Sequence, residues 1–167
     1  MYKRIEDFLA DWKNEKEGTL KVFSELTDES LTKQIPNYKR TPGRLAWHIV
    51  LTIDELMSRT GLKLDAPAEN APIPSKVADV IAAYGKASDS LYNEIMNTWV
   101  DSDLEIEVNM YGEMWKKGMI LNVLIKHEIH HRAQLTVLMR QLGLKVPGLY
   151  GPSEEEWAQS GMQAPLI

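Results

Sequence analysis

The chain has 167 residues, a formal net charge of -5 and no cysteine. That length makes one domain, residues 1–167, the default, with about two-thirds of the unfolded chain's surface buried on folding. The acidic balance argues against a nonspecific nucleic-acid binder, and the missing cysteine removes disulfides, thiolate metal ligands and a cysteine nucleophile.

Met1 to Asp11 is charged and lacks the apolar centre of a signal peptide, and no apolar run approaches the roughly 18 residues of a membrane span. The chain therefore reads as a soluble, untargeted cytoplasmic protein with no membrane partner. Ile5, Phe8, Trp12, Thr19, Val22 and Phe23 recur at helical spacing and predict a first helix over about residues 2–25. Thr27 and Asp28 can cap a short turn that ends before Pro36, because the residue before proline resists the α conformation. Lys39, Arg40 and Arg44 then form a basic cluster, read first as an ordinary solvated turn and, as the alternative, as a contact for an anionic substrate.

Thr41-Pro42 is a strong start signal, with Thr as the capping oxygen and Pro at the first helical position. It predicts a second helix from Pro42 to about Arg59, ended by Gly61, with Leu45, Ile49, Ile53 and Leu56 facing inward. His48 borders Leu45 and Thr52 at helical spacing and can face a neighbouring helix. Glu55 lies further along that side as a solvent-facing residue or, alternatively, a fourth ligand. Residues 62–74 hold three prolines among small residues and read as a loop across one end of the bundle. Ser75 is the expected cap of a third helix reaching Trp99. Leu104, Ile106, Val108 and Met110 alternate with polar residues, a period-two pattern read as a long extended crossover without a strand partner.

The fourth helix is expected from Lys117 to Leu142, with Gly143 ending it. After it, Ser153-Glu154-Glu155-Glu156 reads as a capping box that opens a short helix, with Trp157 available to dock. Four long amphipathic segments with no internal repeat most simply make an all-α protein, a four-helix bundle with long connections.

Three of the four histidines fall within His127-Glu128-Ile129-His130-His131. At about 100° per residue, His127 and His131 lie one above the other on a single face of the fourth helix. Two imidazoles at that spacing present nitrogens to one point, and the only histidine outside the cluster, His48, supplies a third. Three imidazoles on a divalent ion leave a position open, as in a catalytic zinc site; nickel, cobalt, iron or manganese would also be accepted by such a donor set. His130 points about 100° away from His131 and reads as an outer hydrogen-bonding partner, a proton shuttle or a surface residue. His127, Glu128 and His131 also match HExxH, so Glu128 is a candidate general base, and a zinc-dependent hydrolase is one alternative.

Over nearly its full length the chain resembles the DinB-like superfamily, the DinB/YfiT group of small bacterial metal-binding four-helix proteins. The resemblance is carried by Pro42-Gly43-Arg44-Leu45-Ala46-Trp47-His48, by the His127 and His131 pair, and by His130-His131-Arg132-Ala133-Gln134, where Ala133 stands in place of the family's frequent glycine. It implies metal-ligand roles for His48, His127 and His131, an unusual bundle order with a long link between the second and third helices, a homodimer, and zinc or nickel as the metal. Some members of the group are thiol-dependent transferases or isomerases. The resulting expectation is a metal-dependent transferase that joins a low-molecular-weight thiol to a small electrophile, with Glu128 or His130 handling the proton. A non-catalytic metal-binding or stress-response protein is the alternative. Met110, Tyr111, Met114, Trp115 and Trp157 are the apolar residues nominated for a dimer contact, with packing of the crossover against its own bundle as the equal alternative.

Overall fold

The computed structural model describes residues 1–166. Its bundle consists of α1 (Ile5–Ser24), α2 (Pro42–Met57), α3 (Val77–Thr98) and α4 (Lys117–Gln141). Contacts run from α1 to α3, α3 to α2, α2 to α4 and α4 back to α1, so the order around the bundle differs from the order along the chain. The histidine-bearing helices α2 and α4 are thereby neighbours. The long links at 25–41 and 99–116 pass between helices on opposite corners, while 61–76 joins the adjacent pair α2 and α3. One continuous apolar core lies between all four helices. Among the described residues, no helix is long and apolar enough to cross a membrane.

The start of α2 follows from its local chemistry. Thr41 Oγ1 accepts from the Arg44 amide at 3.2 Å, and Pro42 gives up only an amide hydrogen that has no helical acceptor. A single 3₁₀ turn at Glu29–Thr32 crosses the first turn of α2 so closely that a Cβ on Gly43 would stand 2.7 Å from the Leu31 carbonyl oxygen. Glycine at 43 is what lets this turn seat itself, and the seat fixes where α2 carries His48. The helix ends at Met57, and after a short 3₁₀ turn Gly61 adopts φ 90, a left-handed conformation open to glycine at little cost.

Two local expectations need correcting. The cap of α3 does not come from Ser75: Asp28, arriving from the end of α1, accepts from the Val77 amide at 2.8 Å and from Lys76 Nζ at 3.0 Å. These bonds hold the Asp28 carboxyl below the ordinary carboxylate range. The extended crossover also has a strand partner after all. Strand β1 (Glu107–Met110) pairs antiparallel with β2 (Glu113–Lys116), in a register that sets Val108 against Trp115 and Met110 against Glu113. The turn is Tyr111-Gly112, with φ 57 and 94. Positive φ at both positions gives the right twist for a two-residue hairpin.

The hairpin also sorts the apolar residues nominated for a dimer contact. Met110 is buried in the core and Trp115 packs half-buried against it, whereas Tyr111 and Met114 stand exposed. Trp157 is half-buried on the short α5 (Glu154–Gln159), where the Glu156 carboxylate reaches back to the Ser153 amide at 3.2 Å.

Helix α4 buries two charged residues as well as apolar ones. Leu121, Ile125, Glu128, Arg132, Leu135 and Met139 follow one another down a face turned into the bundle, and Glu128 and Arg132 are 2% and 1% exposed. Glu128 Oε1 accepts from Thr19 on α1 and Tyr84 on α3, each at 2.6 Å. Arg132 Nη1 donates to Thr19 Oγ1 and the Glu15 carbonyl oxygen, both at 3.0 Å, and its Nη2 pairs with the Glu15 carboxylate. Tyr150, from the segment after α4, donates to that carboxylate at 2.7 Å. This polar seam ties α1, α3 and α4 together directly behind the histidines.

Candidate metal centre

His48 comes from the second turn of α2, and His127 and His131 come from the middle of α4. The structure brings all three together. Nε2 of His127 lies 3.3 Å from Nε2 of His48 and 3.2 Å from Nε2 of His131. The His48 and His131 ring centroids are 4.5 Å apart. Among the described residues these three form the group whose ligand atoms converge tightly enough to hold a metal ion.

The donor set fits a divalent ion on chemical grounds. Nitrogens bound tetrahedrally at about 2.0–2.1 Å stand roughly 3.3 Å from one another, which matches the two Nε2 separations. Protons alone satisfy this arrangement poorly. His131 Nδ1 donates to Gln134 Oε1 at 2.8 Å, so its Nε2 is a bare acceptor facing the cluster. Nε2 of His127 can carry one proton, but it faces a neighbour on each side. A shared cation lets every nitrogen use its lone pair at once. His127 Nδ1 is buried without a hydrogen-bond partner among the described residues.

Gln134 went unassigned in the sequence reading, although its spacing is visible there: it lies at i+3 from His131 and i+4 from His130. Its amide nitrogen donates to His130 Nε2 at 3.0 Å while its oxygen orients His131. His130 is thus an exposed imidazole beside the cluster, its ring centroid 5.0 Å from that of His131, and does not share the convergence point. Glu128 is not brought to the cluster: its carboxylate points into the seam against Thr19 and Tyr84, and burial raises its pKa. Glu55 accepts from the Tyr111 hydroxyl at 2.8 Å and does not converge with the three imidazoles either.

Burial is the main reason that all three histidines titrate below the ordinary imidazole value. His127 is lowered furthest, to about 4, with the neighbouring imidazoles adding repulsion. For His48 the His131 charge adds to burial, Glu55 opposes it, and Arg40 and Arg44 reinforce it. Neutral imidazoles are the form that binds a metal.

The sign of the stability effect follows. Above about pH 6.5 the imidazole is neutral in both folded and unfolded chains and contributes no pH dependence. As the pH falls from there towards the His127 value of about 4, the unfolded chain binds more protons and the metal-free fold loses stability. Calorimetry across that window should show a steeper fall in melting temperature for the native chain than for His127→Gln. Parallel curves would mean that His127 titrates normally.

Beside His48 lies a cleft of about 540 Å³, lined on the α2 side by Arg40, Arg44, Trp47, His48 and Leu51, and on the other by residues 69–73. The Trp47 indole donates to the Ala71 carbonyl at 2.9 Å and ties the far wall to α2. Of the basic turn noted in the sequence, Arg40 and Arg44 line this cleft and Lys39 does not.

Comparison with known proteins agrees with the architecture. The model of the DinB family matches residues 1–163. The protein YrdA of Bacillus subtilis (strain 168) is 42% identical over 167 residues, covering 100% of both chains. A crystal structure of a DinB-like protein from Bacillus cereus ATCC 10987 superimposes with TM-score 0.86 at 41% identity, covering 90% of this chain and 100% of that one. A second DinB-like structure, YjoA of Bacillus subtilis, shares the fold alone: TM-score 0.67 at 13% identity, over 86% of this chain and 97% of that one.

Proposed function

The chain belongs to the DinB family, and from that premise we propose that it holds one divalent metal ion, zinc or nickel, on His48, His127 and His131 and acts as a thiol transferase. In this reading it joins a low-molecular-weight thiol to a small electrophile. The observation that carries the metal assignment is the convergence of three neutral imidazole nitrogens, two of the separations being 3.2 and 3.3 Å. A divalent ion with three protein ligands supplies a Lewis acid with an open position, able to lower the pKa of a thiol or water placed there.

The chain's own residues supply the surroundings. Gln134 holds His131 in the tautomer that turns a lone pair inward. Leu51, Trp47 and the Ala71–Ile73 wall give the cleft beside His48 apolar contacts among its charged ones. The proton released by an incoming thiol would have an exposed acceptor in His130, next to His131, once its Nε2 gives up the bond from the Gln134 amide. Glu128 is badly placed to take it, because both residues that hydrogen-bond its carboxylate belong to the core on α1 and α3. The same placement weighs against a zinc-dependent hydrolase, which would need that glutamate beside the attacking water.

The test is consumption of a thiol and an electrophile by the metal-loaded protein, over a panel of cellular thiols. Turnover should exceed the metal-free background and disappear in His48→Ala. In His130→Ala, kcat should fall while metal and thiol affinities are retained, which would place that imidazole in proton transfer. If the cobalt-substituted protein shows no spectral change with any thiol and none is consumed, the transferase reading fails and a non-catalytic metal-binding protein is left.

A further inference from the structure

Resting on the reading above for its reactive end, we propose that the cleft beside His48 selects ligands that carry a carboxylate, held by Arg40 and Arg44. Both guanidinium groups line that cleft, and neither has an ion-pair partner among the described residues. The other arginines are all engaged: Arg4 with Glu6, Arg132 with Glu15, Arg140 with Glu155, and Arg59 over the Tyr111 ring at 4.5 Å. The two arginines without an ion-pair partner among the described residues therefore border one cavity, and that cavity also touches a candidate metal ligand.

Spacing along α2 sets the size of the ligand. Arg44 and His48 are separated by one helical turn, about 6 Å along the axis and on the same side. A carboxylate paired with Arg44 thus sits within a small molecule's length of His48. Leu51, one turn beyond His48, and Ile73 line the same cleft and offer apolar contact, and the Trp47 bond to Ala71 keeps the opposing wall in place. Glu69 also lines the cleft and opposes a second negative charge, which favours a singly charged carboxylate over a phosphoryl dianion. An exposed pair of this kind contributes modestly and is screened by salt. Its effect is selection among ligands, with tight binding supplied elsewhere.

The experiment uses three small probes and the full chain. Mercaptoacetate and 2-mercaptoethanol, similar in size but differing in charge, are titrated into the cobalt-substituted protein. (Methylthio)acetate, which keeps the carboxylate but has no thiol, and its neutral amide are titrated into metal-free and zinc-loaded protein and followed by amide NMR shifts. Mercaptoacetate should bind on the order of tenfold more tightly than 2-mercaptoethanol, as expected for two exposed charge contacts. Arg40→Gln/Arg44→Gln should erase that preference while metal content and the affinity for 2-mercaptoethanol stay unchanged. The thioether carboxylate should shift amides at 40–51 and 69–73 in both forms of the protein, and lose this in the double variant. If neither thiol alters the cobalt spectrum but the thioether carboxylate still binds through the arginines, thiol chemistry fails and the carboxylate cleft stands. If carboxylates bind no better than their neutral counterparts, or the double variant keeps the full preference, the carboxylate assignment is overturned.

Discussion

Replacing His48, His127 or His131 by alanine should lower zinc affinity by more than about 100-fold, a loss beyond the 10- to 100-fold typical of residues that only support a ligand. The three Nε2 atoms point at one place, and removing one leaves two donors, too few to compete with water and buffer. Gln134→Ala should sit between the native chain and these variants, at about tenfold, because it frees His131 to rotate and change tautomer while leaving the nitrogen in place. His130→Ala should change affinity by less than about fivefold, since its ring stands outside the convergence point. Competition against a chromophoric chelator ranks all five variants. The bundle itself should survive the loss of any single ligand, because the core is continuous without the metal, and melts of the metal-free variants should stay cooperative. Full, tight occupancy in His48→Ala would remove α2 from the site.

Arg132→Ala should destabilise the fold by about 3–5 kcal/mol, the usual penalty for stripping one partner from a buried ion pair. Arg132 is 1% exposed and Glu15 is 8% exposed, so the orphaned carboxylate has little recourse to water. The same change removes donors from Thr19 Oγ1 and the Glu15 carbonyl. For a chain of this length such a loss corresponds to a melting temperature lower by on the order of 10 °C. Removing both charges tests whether the pair or its orphan is responsible: Glu15→Leu with Arg132→Met should recover most of the stability, because an apolar pair of similar volume avoids the desolvation cost. Urea unfolding of the single and double variants gives both numbers. A change below about 1 kcal/mol in Arg132→Ala would mean that water reaches the seam through Tyr150, and that the pair behaves as an exposed one.

How far each feature could be read from the sequence depended on the range of the interactions that determine it. The helix spans, the Thr41-Pro42 start and the shared face of His127 and His131 are set by residues a turn or less apart, and they came out within a few positions. His48 was the only distant histidine, and helix packing put α2 against α4 as the site requires. The hairpin was missed because its turn is Tyr111-Gly112, where a tyrosine takes the left-handed conformation usually given to Asn, Asp or Gly. The cap of α3 was missed because Asp28 lies forty-nine positions from Val77. Arg132 was given no role, and Glu128 was read only as a candidate base, for another reason. They sit in the 3.6-residue stripe running from Leu121 to Met139, but a stripe counted from apolar residues alone passes over two polar side chains whose partners, Thr19, Tyr84 and Glu15, come from other helices. Glu128 consequently looked available to the metal face, while its carboxylate turns into the bundle towards α1 and α3. The cleft depends on the contact between Trp47 and Ala71, across a proline-rich link whose path no local pattern dictates.

Element analysis followed by X-ray absorption at the metal edge, on protein purified without an affinity tag, addresses the three-histidine centre most directly. One divalent ion per chain is expected, with three imidazole nitrogens at about 2.0–2.1 Å and one or more lighter donors completing the shell. Substoichiometric metal that stoichiometric zinc fails to replenish, or a shell of oxygen donors with no imidazole scattering, would contradict it.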